Sequence, residues 1–212
     1  MMDSKSLLAK ALPCVRETGQ WIQSAISQVK SGDIIYKGTN DLVSFVDQQA
    51  ESKLKEGLSA IFPEAQFIAE ESDSNYDEVG SGYYWVIDPL DGTTNFLHGL
   101  PIYAVSVGLI HNKQPILGMI YEPNQDEMFY ASKGNGAFLN DKSIQVSTAE
   151  TLATSLLATG FPYYDFSYQD RYLDLLKELM QKSHGLRRMG AASIDLAYTA
   201  CGRFEGFFEA NL

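Results

Sequence analysis

From Leu8 to Val29 the apolar positions Leu8, Leu12, Val15, Ile22, Ala25, Ile26 and Val29 recur at the three-, four- and seven-residue spacings of an amphipathic helix. Pro13 inside that run predicts a kink or a late start. After Gly32 and Gly38 a second helix is expected, capped by Asn40 or Asp41, with Val46, Ala50, Leu54, Leu58 and Ile61 as its buried stripe and Pro63 as its stop. Gln66–Ala69 and Tyr83–Ile87 read as short buried strands, each running into acid: Glu70-Glu71 after the first, Asp88 after the second. Between them Ser72 to Gly82 reads as a polar loop able to move. Strands at 103–110, 116–122, 127–131, 137–139 and 143–147, separated by turn-forming residues, predict an antiparallel meander. The last third alternates: a strand at Ser155–Thr159, a helix over 165–182 with Tyr168, Tyr172, Leu175, Leu176 and Leu179 on one face, a strand at 186–189, a helix at 192–201 and a strand at 204–209.

Composition narrows what such a chain does. Its 212 residues, 45% apolar, suffice for one large domain or a domain with a smaller lobe. No stretch approaches the ~18 uninterrupted apolar residues of a membrane span, and the first thirty residues are too charged for a secretory signal. A formal charge of −11 repels a phosphate backbone, so nucleic acid is not the expected partner. Cys14 and Cys201, without CxxC spacing, indicate neither a disulfide framework nor a zinc knuckle, and a reducing cytoplasm fits.

The chemistry concentrates in Trp85-Val86-Ile87-Asp88-Pro89-Leu90-Asp91-Gly92-Thr93-Thr94-Asn95-Phe96. A strand delivers Asp88, Pro89 forces a bend, Asp91 returns three residues later and Gly92 permits close approach of the backbone to a ligand. Two such carboxylates repel unless one is protonated or a divalent cation lies between them. Thr93, Thr94 and Asn95 open a short helix ended by Gly99 and Pro101, whose first amide hydrogens face an anion. Carboxylates beside an anion site suit phosphoryl hydrolysis. The same dipeptides, Asp-Pro and Asp-Gly, also make ordinary turns, with Asp91 as a helix cap.

The run from Trp85 to Pro101, with Glu70-Glu71-Ser72 upstream, Lys37 to Asp47 and Gly190-Ala191-Ala192, resembles the inositol monophosphatase family along essentially the whole chain. That resemblance implies a layered α-β-α-β-α sandwich, with an N-terminal metal-binding lobe over 1–147 and an incomplete C-terminal lobe over 148–212. It implies a lithium-sensitive phosphomonoesterase using two or three Mg²⁺ ions on inositol 1-phosphate or another small phosphorylated polyol or sugar, working as a cytoplasmic homodimer. Glu70, Asp88, Asp91 and the Leu90 carbonyl would hold metal, with Asp91 bridging ions. Glu70 and Thr93 would orient the attacking water, and the Gly92 and Thr93 amides would hold phosphate. Ala192 and Glu209 would contact the hydroxyls of the alcohol, although close packing at a helix start and a solvated strand end account for them as well. Asp47 matches an acidic position near the metals or is a helix-surface residue, and Lys37 balances the acids or lies on the surface.

His98, His111 and His184 lack metal-ligand spacing, and Arg187-Arg188, Tyr163-Tyr164 and Phe207-Phe208 read as surface, core or interface. Members of the resembled family continue beyond the position of Leu212 into a Trp-Asp motif whose acid binds the second metal. The expectation is therefore either a truncated form, with an uncovered sheet edge and apolar face, that hydrolyses phosphate esters poorly, or a fold that something else, such as a partner chain, completes. Fructose bisphosphate, a nucleotide 3′-phosphate and histidinol phosphate are alternative substrates, and a non-catalytic binding or assembly protein is the rival reading.

Overall fold

The structure, a computed structural model, describes residues 3–28, 34–36, 42–70, 80–162 and 165–210. Lys37, the Asn40 or Asp41 cap, Glu71, Ser72 and the Tyr163-Tyr164 pair lie outside the described residues. The chain divides into two units, 1–143 and 144–212.

In the first unit, helix α1 spans Ser4–Ala25 and closes with a 3₁₀ turn at Ile26–Gln28. It starts earlier than the apolar spacing predicts because Asp3 caps it, its side chain accepting from the Lys5 N–H at 3.1 Å. Pro13 neither delays nor ends the helix. Leu8, Ala11 and Val15 bury the face on both sides of it, and that burial outweighs one lost hydrogen bond.

Strands β1 (Ile34–Tyr36) and β2 (Leu42–Ser44) form an antiparallel pair, which delays helix α2 to Phe45–Ile61. The stripe Val46, Ala50, Leu54 and Leu58 is fully buried as the pattern predicts, whereas Ile61 is only half-buried. Against the two helices lies a seven-stranded sheet: β3 (Gln66–Ala69), β4 (Tyr83–Asp91), β5 (Ala104–His111), β6 (Gln114–Glu122), β7 (Glu127–Ser132), β8 (Ala137–Leu139) and β9 (Lys142–Ser143), neighbours in that order. β3 runs parallel to β4, and every later pairing is antiparallel. The meander is the predicted one, except that its last strand stops at Ser143 and does not reach 147. Trp85, Ile87, Val105, Val107, Leu109, Leu117, Met119 and Tyr121 pack against the helices as one core.

The second unit holds a three-stranded parallel sheet in the order β11 (Gly185–Arg187), β10 (Leu156–Thr159), β12 (Gly206–Phe208). Helix α4 (Gln169–Lys182) links β10 to β11, and α5 (Ala192–Ala200) links β11 to β12. α4 begins four residues later than expected and buries none of its residues fully. Tyr168, Tyr172, Leu176 and Leu179 form its half-buried stripe, while Leu175 falls off that stripe and is exposed. Cys14 and Cys201 are free thiols. No helix among the described residues is long and apolar enough to cross a membrane.

Candidate functional site

Strand β4 carries the site. Side chains alternate along a strand, so residues three apart point to opposite faces of a sheet. Asp88 and Asp91 escape that rule because the ladder slips: Asp88 pairs with Ser106, and the next pair is Asp91 with Ala104. Three steps on β4 answer two on β5, a bulge centred on Pro89, which has no N–H to give the ladder. The added residue turns the second carboxylate back to the side of the first. Pro89 therefore does not end the strand at Ile87, as its bend suggests in sequence; the strand runs on to Asp91.

Glu70 arrives from the neighbouring strand. Ala69 is level with Ile87 in the parallel pair, and the Glu70 N–H donates to the Ile87 carbonyl at 3.2 Å, which sets Glu70 beside Asp88. Asp88 is pushed well above the ordinary carboxylate range, first by desolvation and then by the charges of Asp91 and Glu70, with a shared hydrogen bond to Glu70 acting the same way. The Leu90 N–H, donating to Asp88 Oδ1 at 3.1 Å, offsets part of that rise.

Gly92 follows at φ 90°, in the left-handed region, and begins helix α3 (Thr93–Leu97) without a side-chain cap. The first bond of that helix runs from the Phe96 N–H to the Gly92 carbonyl at 3.0 Å. The Thr93 hydroxyl lies 2.9 Å from the Leu90 carbonyl and 3.0 Å from Asp47 Oδ1.

Asp47 corrects the helix-surface reading, since it is 1% exposed. Its signal was present in the sequence: positions 47, 50, 54 and 58 fall on one helical stripe, of which three are apolar core. Asn95, read from the sequence only as part of the first turn of the short helix α3, is also buried. Its amide donates to the Ile102 carbonyl at 2.8 Å, while its own carbonyl accepts from the Leu100 N–H at 2.8 Å, bracing the turn that follows α3.

The donor set consists of carboxylate and carbonyl oxygens, the chemistry of hard cations such as Mg²⁺. The charges acting on Asp88 are both negative, and a cation relieves them. Among the described residues no three His, Cys, Asp or Glu side chains form a single metal-sized group. The available set is thus carboxylates in pairs with a main-chain carbonyl, Glu70 and Asp88 near Leu90, and Asp91 beside them.

Ala192 and Glu209 belong to the second unit. Ala192 is the first residue of α5, after Gly190 at φ 89°, and Glu209 follows β12; both are half-buried. His111 stacks on Tyr83 with ring centroids 4.1 Å apart, and Arg188 lies over the Phe161 ring at 5.5 Å, so each has a packing role.

This mixed α/β fold gathers oxygen donors at a strand bulge, and the family that its sequence matches is one of phosphatases. Residues 3–212 match the model of the inositol monophosphatase family, and the chain belongs to that family. It is 37% identical over 211 residues to the inositol-1-monophosphatase of Rhizobium meliloti, covering 100% of this chain and 79% of that protein. It is 38% identical over 209 residues to the Nus factor SuhB of Pseudomonas aeruginosa, covering 97% of this chain and 77% of that protein. The crystal structure of the extragenic suppressor protein SuhB from Bartonella henselae superposes with a TM-score of 0.91 at 37% identity, over 98% of this chain and 79% of that one.

Proposed function

We propose that the protein hydrolyses a small phosphate monoester with Mg²⁺, and that inositol 1-phosphate or a closely related polyol phosphate is the substrate. The observation that carries this reading is that the Asp88 carboxyl at the β4 bulge feels the charges of both Asp91 and Glu70, next to the Thr93–Asp47 pair.

In this reading Glu70, Asp88, the Leu90 carbonyl and Asp91 hold the metal. Bound there, Mg²⁺ neutralises phosphate charge, acidifies water and stabilises the leaving oxygen. Glu70 and Thr93 orient the attacking water. Asp47 holds the Thr93 hydroxyl by accepting a hydrogen bond from it, which leaves the Thr93 oxygen lone pairs for the water's hydrogen. The Gly92 and Thr93 amides face the phosphate, and the absence of a side-chain cap at Gly92 suits that task. Ala192 and Glu209 recognise the hydroxyls of the alcohol. Lithium inhibits by competing for a Mg²⁺ position, and the working form is a homodimer.

The test is phosphate release from inositol 1-phosphate, fructose 1,6-bisphosphate and a nucleotide 3′-phosphate across a Mg²⁺ titration. Release that requires Mg²⁺ and disappears in D91N supports the reading. A second reading, a binding or assembly role without turnover, is favoured by the naming of several relatives as Nus factors. Mg²⁺ binding with no release from any ester would establish that alternative.

A further inference from the structure

A cavity of about 420 Å³ opens in the first unit between α1 and the β7–β9 end of the seven-stranded sheet. That volume is in the range of small-molecule sites. β7 stands three strands from β4, so the cavity is separate from the carboxylates Asp88 and Asp91. Its helix wall carries Ala9, Pro13 and Glu17 on one four-residue stripe, beside Leu12 and Arg16 on the next. Met128, Tyr130 and the turn between β8 and β9 close the other side.

The charge around this cavity is one-sided. Arg16 is its one cation among the described residues, and that charge is taken up: the guanidinium donates to Asp126 and lies over the Tyr121 ring at 5.0 Å. Glu17 and Asp141 both border the cavity, and among the described residues neither is paired with a cation. Lys10 and Lys142, next in sequence to Ala9 and Asp141, are exposed and lie outside the wall. Pro13 adds a third acceptor, because it has no N–H to give the Ala9 carbonyl one turn back, and both residues line the cavity.

The side facing the helix is held in place. Asn140 and Asp141, at φ 44° and 66°, make the two-residue link from β8 to β9. Asn140 is used at both ends of its amide, Nδ2 donating to the Asp126 carbonyl at 2.8 Å and Oδ1 accepting from the Met128 N–H at 2.9 Å. Asp141 Oδ1 accepts from the Tyr130 hydroxyl at 2.7 Å, which leaves Oδ2 for a guest. The Tyr130 ring is itself stacked on Phe138, with centroids 5.3 Å apart.

We propose that this cavity binds a primary alkylammonium, its nitrogen held by the Glu17 and Asp141 carboxylates and its carbon body resting on Leu12 and Met128. The polar atoms left over in the wall accept, so the guest must donate, and an ammonium has three donors and no acceptor. The Tyr130 ring offers a cation a further attraction. Two carboxylates among apolar side chains are too few oxygens for Mg²⁺ or Ca²⁺, and among the described residues no third acid, His or Cys joins them.

The test is an amide-detected NMR titration with cyclohexylammonium, and with cyclohexanol as a neutral probe of the same shape. Cyclohexylammonium should bind saturably in the millimolar range, the scale for so small a ligand, and shift amides within 9–20 and 128–141. Cyclohexanol should bind about tenfold more weakly, as should cyclohexylammonium to E17Q and to D141N, the scale of a lost charged hydrogen bond. Both substitutions fall at exposed positions, and asparagine at 141 keeps an acceptor for Tyr130 and tolerates the positive φ. Saturating Mg²⁺ should leave the affinity unchanged. Absence of saturable binding, equal binding of the two probes, or full affinity in both E17Q and D141N overturns the proposal. Displacement by Mg²⁺ also overturns it, by moving the ammonium to the β4 carboxylates.

Discussion

The Thr93 hydroxyl and Asp47 Oδ1 stand 3.0 Å apart although 46 residues separate them. One opens the short helix after the β4 bulge and the other sits in the first turn of α2, so the contact joins a core helix to the residues that flank the carboxylates. The T93V variant keeps the shape of the side chain and removes one donor from a buried carboxylate. It is expected to cost about 1–3 kcal/mol of stability and about a hundredfold in kcat, with KM little changed. T93S should recover most of both. A T93V enzyme with wild-type kcat would remove Thr93 from the mechanism.

Asp88 makes the metal-free site sensitive to pH. Its folded pKa is raised by burial and by Asp91 and Glu70, so the folded chain holds this proton more tightly than the unfolded one. The contribution of Asp88 to stability is greatest below the ordinary carboxylate pKa and declines as pH rises through the raised value. In EDTA, D88N is therefore expected to be more stable than wild type near neutral pH, with the difference shrinking in acid. Added Mg²⁺ should stabilise wild type, increasingly so as pH rises, and D88N far less, with activity of D88N down about 10²–10³-fold. Urea midpoints across pH with EDTA and with Mg²⁺ check this, and equal Mg²⁺ stabilisation of both proteins would exclude Asp88 as a ligand.

Tyr121 is one of the groups through which alkali is expected to lower stability. Burial first, and then its hydrogen bond to Asp126 at 2.8 Å, push its phenol up to about 12. A raised folded pKa means that the stabilisation is complete below the ordinary tyrosine value of ~10 and is lost as pH rises through the folded value. Y121F should flatten the fall in stability over that window. Tyr130, also raised to about 12 by burial and by Asp141, should remain as a late phase in a phenolate absorbance titration. Y121F that loses stability with alkali as steeply as wild type would refute this.

Gly19 in α1 lies against the same ring: a Cβ there would overlap Tyr121 Cδ1 and stand 2.8 Å from Cε1. Alanine in mid-helix normally gains about 1 kcal/mol over glycine. The ring is 1% exposed, lies under the Arg16 guanidinium at 5.0 Å and is bonded to Asp126, so it has little room to move. Overpacking of about 1–3 kcal/mol should win, giving G19A a net loss of stability. In Y121L the same substitution should cost less, and a double-mutant cycle in urea measures the coupling. A stabilising G19A would show that the ring yields.

Periodicity and residue type, properties of local stretches of chain, determined a large share of this protein. Val46, Ala50, Leu54 and Leu58 declared their shared face, the turn residues between 111 and 141 declared the meander, and the Asp88-to-Thr93 run with Glu70 declared the carboxylates on which the family resemblance rests. Tertiary structure decided the rest, because it depends on what lies opposite. Pro13 stays within a helix because a core covers its neighbours, and Asp88 and Asp91 share a side because a bulge against β5 adds a residue between them. Asp47 is buried where Thr93 meets it, and the Glu209 carboxyl group lies where a side chain at Gly160 would begin. Spacing along a chain encodes which face a residue takes on its own element, but the partner on that face comes from another segment and exists only once the segments have packed.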